Sequence, residues 1–223
     1  MSLLSDYAKQ LMEKVGFERD ILGFKVTDDE PKDIPYYGDD MSMMCAITAE
    51  AWEKDTPFYF TKNNCVCGGT LYGGIGSRKV PKEEREAGMS VLFGEGAPYG
   101  DKKVFRKIGQ QIPKHFVHHK YLIVGKLQDL KEPPDLVHFV GNANQIYRLT
   151  KAYTWETGIV VQGMSGTSWC AMALPKPYLE KGITFTLGDH GGRSLMGIKD
   201  YELFCVVHFS LLPMIIKNLD KAL

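Results

Sequence analysis

Two stretches of the chain, 125 residues apart, carry the same succession of residue types, and a chain that folds one segment twice is restricted in how it can be built. The first stretch is Cys45-Ala46, a gap of helical size, Phe58-Tyr59-Phe60-Thr61, then Cys65-Val66-Cys67-Gly68-Gly69-Thr70-Leu71-Tyr72-Gly73. The second is Cys170-Ala171, the same gap, Ile183-Thr184-Phe185-Thr186, then Asp189-His190-Gly191-Gly192-Arg193-Ser194-Leu195-Met196-Gly197. The offset of 125 holds without a gap from Cys45 to Thr61, and one deletion then makes it 124. In that register Gly68 meets Gly192, Leu71 meets Leu195, Gly73 meets Gly197, and Cys65 falls on Asp189. Cys-Ala and Gly-Gly pairs are common, and a free gap improves any match, so chance is the competing explanation. Taken as a duplication, the units at about 45–73 and 170–197 each read as helix or extended turn, strand and glycine loop. A pseudo-two-fold between them would bring Cys45, Cys65, Cys170 and Asp189 together as a ligand set for a metal.

The rest of the pattern fits around these units. Ser5 to Val15 reads as a helix with Ser5 as N-cap, and Ile21 to Val26 as a strand. Ser42 to Trp52 has helical character, while Phe58–Thr61 is a strand by its aromatic and β-branched content. Glu83–Leu92 and Lys102–Ile112 read as surface helices, and Tyr121–Val124 and Leu136–Val140 as strands. Asn142 caps a helix through Ile146, Leu149 and Tyr153 that stops at Gly158. Ile183–Thr186 and Leu203–His208 are strands, and Ser210 caps a last helix running towards Leu223. With no regular βαβ rhythm, the expectation is an α+β or mixed α/β fold with a mixed sheet, in one domain over residues 1–223.

Charge and composition remove several function classes. Twenty-seven Lys+Arg balance twenty-seven Asp+Glu, so the chain has no electrostatic hold on a polyanion and nucleic acid is not its expected partner. Its longest apolar stretch, Leu203 to Ile216, holds His208, Ser210 and Pro213 and is too short to cross a bilayer. Asp6 and Lys9 interrupt any apolar leader. Five cysteines, an odd number, without an export signal suggest reduced thiols and a cytoplasmic location.

Smaller motifs carry less. Lys114-His115-Phe116-Val117-His118-His119-Lys120 places three histidines together but leads straight into a strand, and reads as a solvated loop. Gly163-Met164-Ser165-Gly166-Thr167 has Thr167 where a nucleophile elbow needs glycine. Gly68 to Gly76 lacks the Gly-Lys-Ser/Thr ending of a P-loop. Val140-Gly141-Asn142 runs a strand through a glycine turn into a helix start, which could receive an anionic ligand, with Arg193 as its partner. A routine N-cap and a structural arginine are the alternatives.

One resemblance covers nearly the whole chain, from about Phe24 to the C-terminus. It rests on Cys45-Ala46, Cys65 with Gly68 and Gly73, Pro134-Asp135-Leu136-Val137, Gly141-Asn142 with Gln145 and Arg148-Leu149, Cys170-Ala171, and Gly188-Asp189-His190-Gly191-Gly192-Arg193. These motifs resemble the domain of unknown function 169 family, found mostly in archaea and anaerobic bacteria. The resemblance implies cysteines at positions 45, 65 and 170 lining a site for an iron–sulfur cluster, 4Fe-4S in type, with zinc as the competing metal. It implies no particular reaction. Relatives often carry a fourth cysteine where this chain has Asp189, and more usually glycine where it has Cys67. Asp189 is therefore the expected fourth ligand, with His190 as its rival. Cys205, inside Phe204-Cys205-Val206-Val207, reads as a buried core residue. A redox protein partner or a small anionic ligand would follow from such a centre. The competing readings are a metal-free ligand-binding domain with structural cysteines, and a thiol redox protein using Cys65 and Cys67.

Overall fold

Period-two alternation sorts the strand side chains onto two faces. In the segment Leu136–Asn142, Leu136 and Val140 join one buried cluster while Val137 and Phe139 join another, and the remaining strands follow suit. The computed structural model of the chain describes residues 2–90, 92–95, 97–115 and 117–222, the side chains of residues 88–90 excepted. Val91 in the expected Glu83–Leu92 helix, Phe116 in the histidine-rich segment and Leu223 at the expected chain end fall outside the described residues.

The elements run α1 (Leu3–Val15), β1 (Leu22–Thr27), α2 (Met44–Glu53), β2 (Phe58–Thr61), α3 (Gly69–Tyr72), α4 (Lys82–Ser90), α5 (Lys102–Gln111), β3 (Tyr121–Lys126), β4 (Leu136–Asn142), α6 (Ala143–Thr157), α7 (Trp169–Ala173), α8 (Pro175–Glu180), β5 (Ile183–Thr186), α9 (His190–Leu195), β6 (Glu202–His208) and α10 (Leu212–Asn218). The six strands form one sheet in the order β2-β3-β1-β4-β6-β5, and every named pair is antiparallel. The expected mixed sheet is thus corrected. A strand pattern records which residues face the core but not which way the strand runs, and the long connections carrying α4 and α5 or α6 and α7 let the chain return in either sense.

Helices cover both faces, so the fold is α+β in three layers. On one side α1, α6 and α10 close over Tyr59, Ile123, Val137, Phe139, Cys205 and Val207. On the other, α2, α3, α7 and α9 meet over Phe24, Phe58, Phe60, Leu122, Val124 and Phe204. Cys205 is fully buried on the first face, as its surroundings in sequence suggested.

The sheet has a seam where Leu22–Phe24 of β1 pairs with Leu136–His138 of β4. Read outward from it, each half places its first strand innermost, its third next and its second at the edge. The two halves thus share a connectivity, and the strands of the expected repeat, β2 and β5, hold opposite edges. That is a property of strand order alone and does not establish the expected superposition of residues 45–73 on 170–197. The intervening helices differ: α2 is one helix of ten residues, where the second half has α7 and α8 of five and six.

Local signals account for most boundaries. Asn142 and Gln145 form a reciprocal capping box, and α6 ends on Gly158 with φ 68°, as read. The start of α1 is capped by Ser2 in place of Ser5. The last helix begins later than expected: a 3-10 turn at Phe209–Leu211 precedes α10, with Pro213 in its first turn where the missing N–H costs nothing. Among the described residues no helix is long and apolar enough to cross a membrane.

Candidate functional site: a thiol centre at converging helix starts

The first N–H groups of a helix have no carbonyl partner within it. Helices α2 and α3 begin on Met43 and Gly68, and neither gives a side-chain cap. Sulfur fills the vacancy. The backbone N–H groups of Met44 and Gly69, one at each helix start, lie close enough to Cys67, in the loop between β2 and α3, to favour its charged form. Cys65 accepts from Thr70, and Cys45, the second residue of α2, from Ala46. The approach is close because Gly69 has no side chain: a Cβ there would lie 2.2 Å from Cβ of Met44 and 3.3 Å from Sγ of Cys67. An isolated parallel bridge between Ser42 and Cys65 ties the loop to the segment before α2.

The thiols divide into one acidic and three resistant groups. Sγ of Cys65 and Sγ of Cys67 are 3.4 Å apart. Hydrogen bonding from Cys65, with the helix-start amides of Met44 and Gly69, lowers the Cys67 thiol from 9.0 to about 6 despite partial burial. The same contact, together with burial, raises Cys65 well above the ordinary thiol range. Cys45 is pushed up to about 11, by burial first and then by the charge of Cys67. Cys170, the second residue of α7, is raised by burial and then by Cys67 and Cys45, against a hydrogen bond from Ser168. Cys67 is the exposed member, while Cys45, Cys65 and Cys170 are buried, and all are free thiols. These shifts favour the thiolate at Cys67 and the protonated thiol at Cys45 and Cys170, chiefly through burial, and at Cys65, chiefly through its hydrogen bond with Cys67.

This division gives a direct test. Iodoacetamide should alkylate Cys67 in the metal-free protein with a rate that rises through about pH 6 and levels off by pH 8, read by peptide mass. An ordinary thiol goes on accelerating through about pH 8.5. A Cys67 rate that follows that later curve would show that the helix starts do not hold a thiolate.

Asp189 lies near enough to Cys45 and Cys170 to raise both thiols. Its carboxylate, however, is held by backbone: Oδ1 accepts from Gly192 N at 3.0 Å, capping α9, and Oδ2 accepts from Trp169 N at 2.8 Å, capping α7. It joins the starts of two helices. His190, the rival, is an exposed first residue of α9. Among the described residues no three His, Cys, Asp or Glu side chains are gathered as ligands of a single ion. Cys65 is turned onto the Cys67 sulfur and Asp189 onto amides.

The expected anion subsite does not form. Asn142 starts α6, which packs with α1 and α10 on the face opposite the cysteines, and its side chain is engaged with Gln145. Arg193 spends its guanidinium on the carbonyls of Leu187, Glu202 and Lys199, pinning α9 to β6. The two sit near one another only through the Asn142–Glu202 pair of β4 and β6. Both are structural. The histidine segment is a loop, as expected: His115 contacts the Tyr72 carbonyl and His119 the Asp28 carboxylate. Ser165 lies 3.3 Å from the Thr186 hydroxyl and accepts the Leu187 N–H.

Sequence reasoning left Cys67 outside the metal ligand set and kept it only beside Cys65 in the thiol redox alternative, because Cys-x-Cys matches no thioredoxin-like or zinc-ribbon spacing. The available signal was its neighbour, Gly68-Gly69, which opens a short helix directly behind the sulfur.

The family model DUF169, described as Uncharacterised ArCR, matches residues 10–218. No curated protein matches the chain, and no solved structure does.

Proposed function

We propose, for a chain that belongs to the DUF169 family, that Cys45, Cys65, Cys67 and Cys170 together hold an iron–sulfur cluster. The supporting observation is that four cysteines from three separate segments meet around one thiolate. The donor set fits. Soft thiolates suit iron bridged by sulfide. Burial and mutual repulsion are what keep three of these thiols protonated, and a cationic guest reverses the repulsion and draws the protons off. A cluster takes each cysteine on a different iron, so its ligands need not converge on one point as zinc ligands must. Within this reading Cys67 is the fourth ligand in place of Asp189, whose oxygens already hold two helices. A cluster bound by all four thiolates would supply one-electron transfer. The protein supplies amides that favour negative sulfur, and an exposed edge, flanked by Met41, Met43 and Val66, where a redox partner can reach it.

The test is iron and acid-labile sulfide analysis of anaerobically purified protein. The expected result is brown protein with about four of each per chain. Colourless protein without iron or sulfide after anaerobic reconstitution would overturn the reading. Asp189→Ala should lose a cap and about 1 kcal/mol of stability while keeping its iron. Loss of iron from that variant, with the fold intact by circular dichroism, would return the fourth position to the carboxylate.

The 3.4 Å sulfur–sulfur contact favours a second reading, thiol–disulfide exchange. The Cys67 thiolate would attack a substrate disulfide, releasing one substrate thiolate. Cys65, deprotonated, would then displace Cys67's bound sulfur as the second thiolate, closing the Cys65–Cys67 bond. A reversible loss of two hydrogens in the iron-free protein, seen by mass, distinguishes it.

A further inference from the structure

Behind the thiol centre lies a second feature, an open cavity of about 560 Å³ between α3, α5 and the residues Ile112, Pro113, Lys114, His115 and His118. That volume lies in the range of small-ligand pockets. Its inner wall is apolar and aromatic: Tyr72, Phe105 and Ile112. Its mouth carries Arg106, Lys114 and His118, and no Asp or Glu is among the described lining residues. In a chain with as many acidic as basic residues, a cavity lined by only one sign of charge selects its ligand.

The wall is held in place without a ligand. His115 meets the Tyr72 carbonyl at 3.0 Å and packs on the Tyr178 ring at 5.0 Å. Phe105 is fixed edge-on against Phe93 and Tyr99. Ile112 packs on Ala171 and Met172, the residues that follow Cys170 in α7. Tyr72 itself is close enough to Cys170 for a thiolate there to raise its hydroxyl pKa, after burial. One layer of side chains therefore separates the cavity from the sulfurs.

We propose that this cavity binds a small organic anion, a carboxylate or phosphate ester with an aromatic or branched apolar body. The anionic group pairs with Arg106 and Lys114 at the mouth, and the body lies on Tyr72, Phe105 and Ile112. This site replaces the anion subsite that Asn142 and Arg193 do not form. Binding there does not depend on what the cysteines hold.

Calorimetry on the full chain, prepared anaerobically at low salt, would use phenylacetate, phenyl phosphate and the neutral phenylacetamide. Both anions should bind about tenfold or more tightly than the amide, and the tighter of the two identifies the class of acid. The double variant Arg106→Gln, Lys114→Gln should lose about tenfold in anion affinity, and Arg106→Lys should retain most of it. Iron and sulfide should be unchanged in both variants, which keeps failure here separate from failure of the cluster reading. Equal binding of amide and anions, undiminished binding by the double variant, or no binding of any probe to the parent would each overturn the proposal.

Discussion

Cys67→Ser is expected to strip most of the iron from anaerobically reconstituted protein and to abolish the thiol that alkylates near pH 6. Serine can still accept the N–H groups of Met44 and Gly69, so both helix starts keep a partner. Cys67 is exposed, so no cavity opens and stability should change by no more than about 0.5 kcal/mol. What disappears is the negative sulfur. A hydroxyl does not ionise near neutral pH, and Cys65, Cys45 and Cys170 lose the one charge common to their surroundings. Cys65 should then titrate lower than in the parent, because its largest upward push is the hydrogen bond with Cys67. Iron, sulfide and visible absorbance report the first effect, and alkylation against pH reports the second. A Cys67→Ser protein with the parent's iron and absorbance would show that the cluster does not use this residue.

Acidification is expected to weaken the fold through a residue outside the thiol centre. His138 of β4 is wholly buried between Phe24, Trp52, Trp169 and Phe204, and neither ring nitrogen has a hydrogen-bond partner among the described residues. Burial lowers its pKa from 6.5 to about 3. The sign follows directly: the unfolded chain takes up a proton below about pH 6.5 and the folded chain does not. The stabilisation is complete above 6.5 and drains away as pH falls towards 3. Each pH unit inside that window is worth up to about 1.4 kcal/mol, so about 2 kcal/mol is lost between pH 6.5 and 4.5. His138→Phe removes the titrating group and leaves no orphaned polar atom, so it should cost little at pH 7. Urea unfolding of both proteins at several pH values gives the comparison, with the carboxylates common to both cancelling. Parallel stability profiles would mean that His138 is solvated or paired in the folded protein.

Legibility followed how local the determinant was. The strands Phe58–Thr61 and Ile183–Thr186 and the helix from Asn142 to Gly158 were read to the residue, because β-branched content, a capping box and a left-handed glycine act within a few positions. Helices α7, α8 and α9 are too short to show a period, and α9 exists because the Asp189 carboxylate caps it. The strand–glycine–helix signature at Asn142 was read correctly as geometry, and its side chain is engaged in the cap of α6. The face on which a crossover helix lands is decided by what else covers the sheet, here α1 and α10. Cysteines 45, 65 and 170 were found through family resemblance and the repeat. Cys67 was passed over because its partners, the amides of Met44 and Gly69, are not written in its own spacing.

The seam between β1 and β4 divides more than the sheet. Cys45, Cys65 and Cys67 are carried by the portion of the chain made first, and Cys170 by the portion made last. A growing polypeptide can present three thiols long before the fourth exists. Until β4, β6 and β5 dock, α7 has no floor and those three thiols have no lid. A guest that needs all four cysteines would therefore have to wait for both halves to close upon each other.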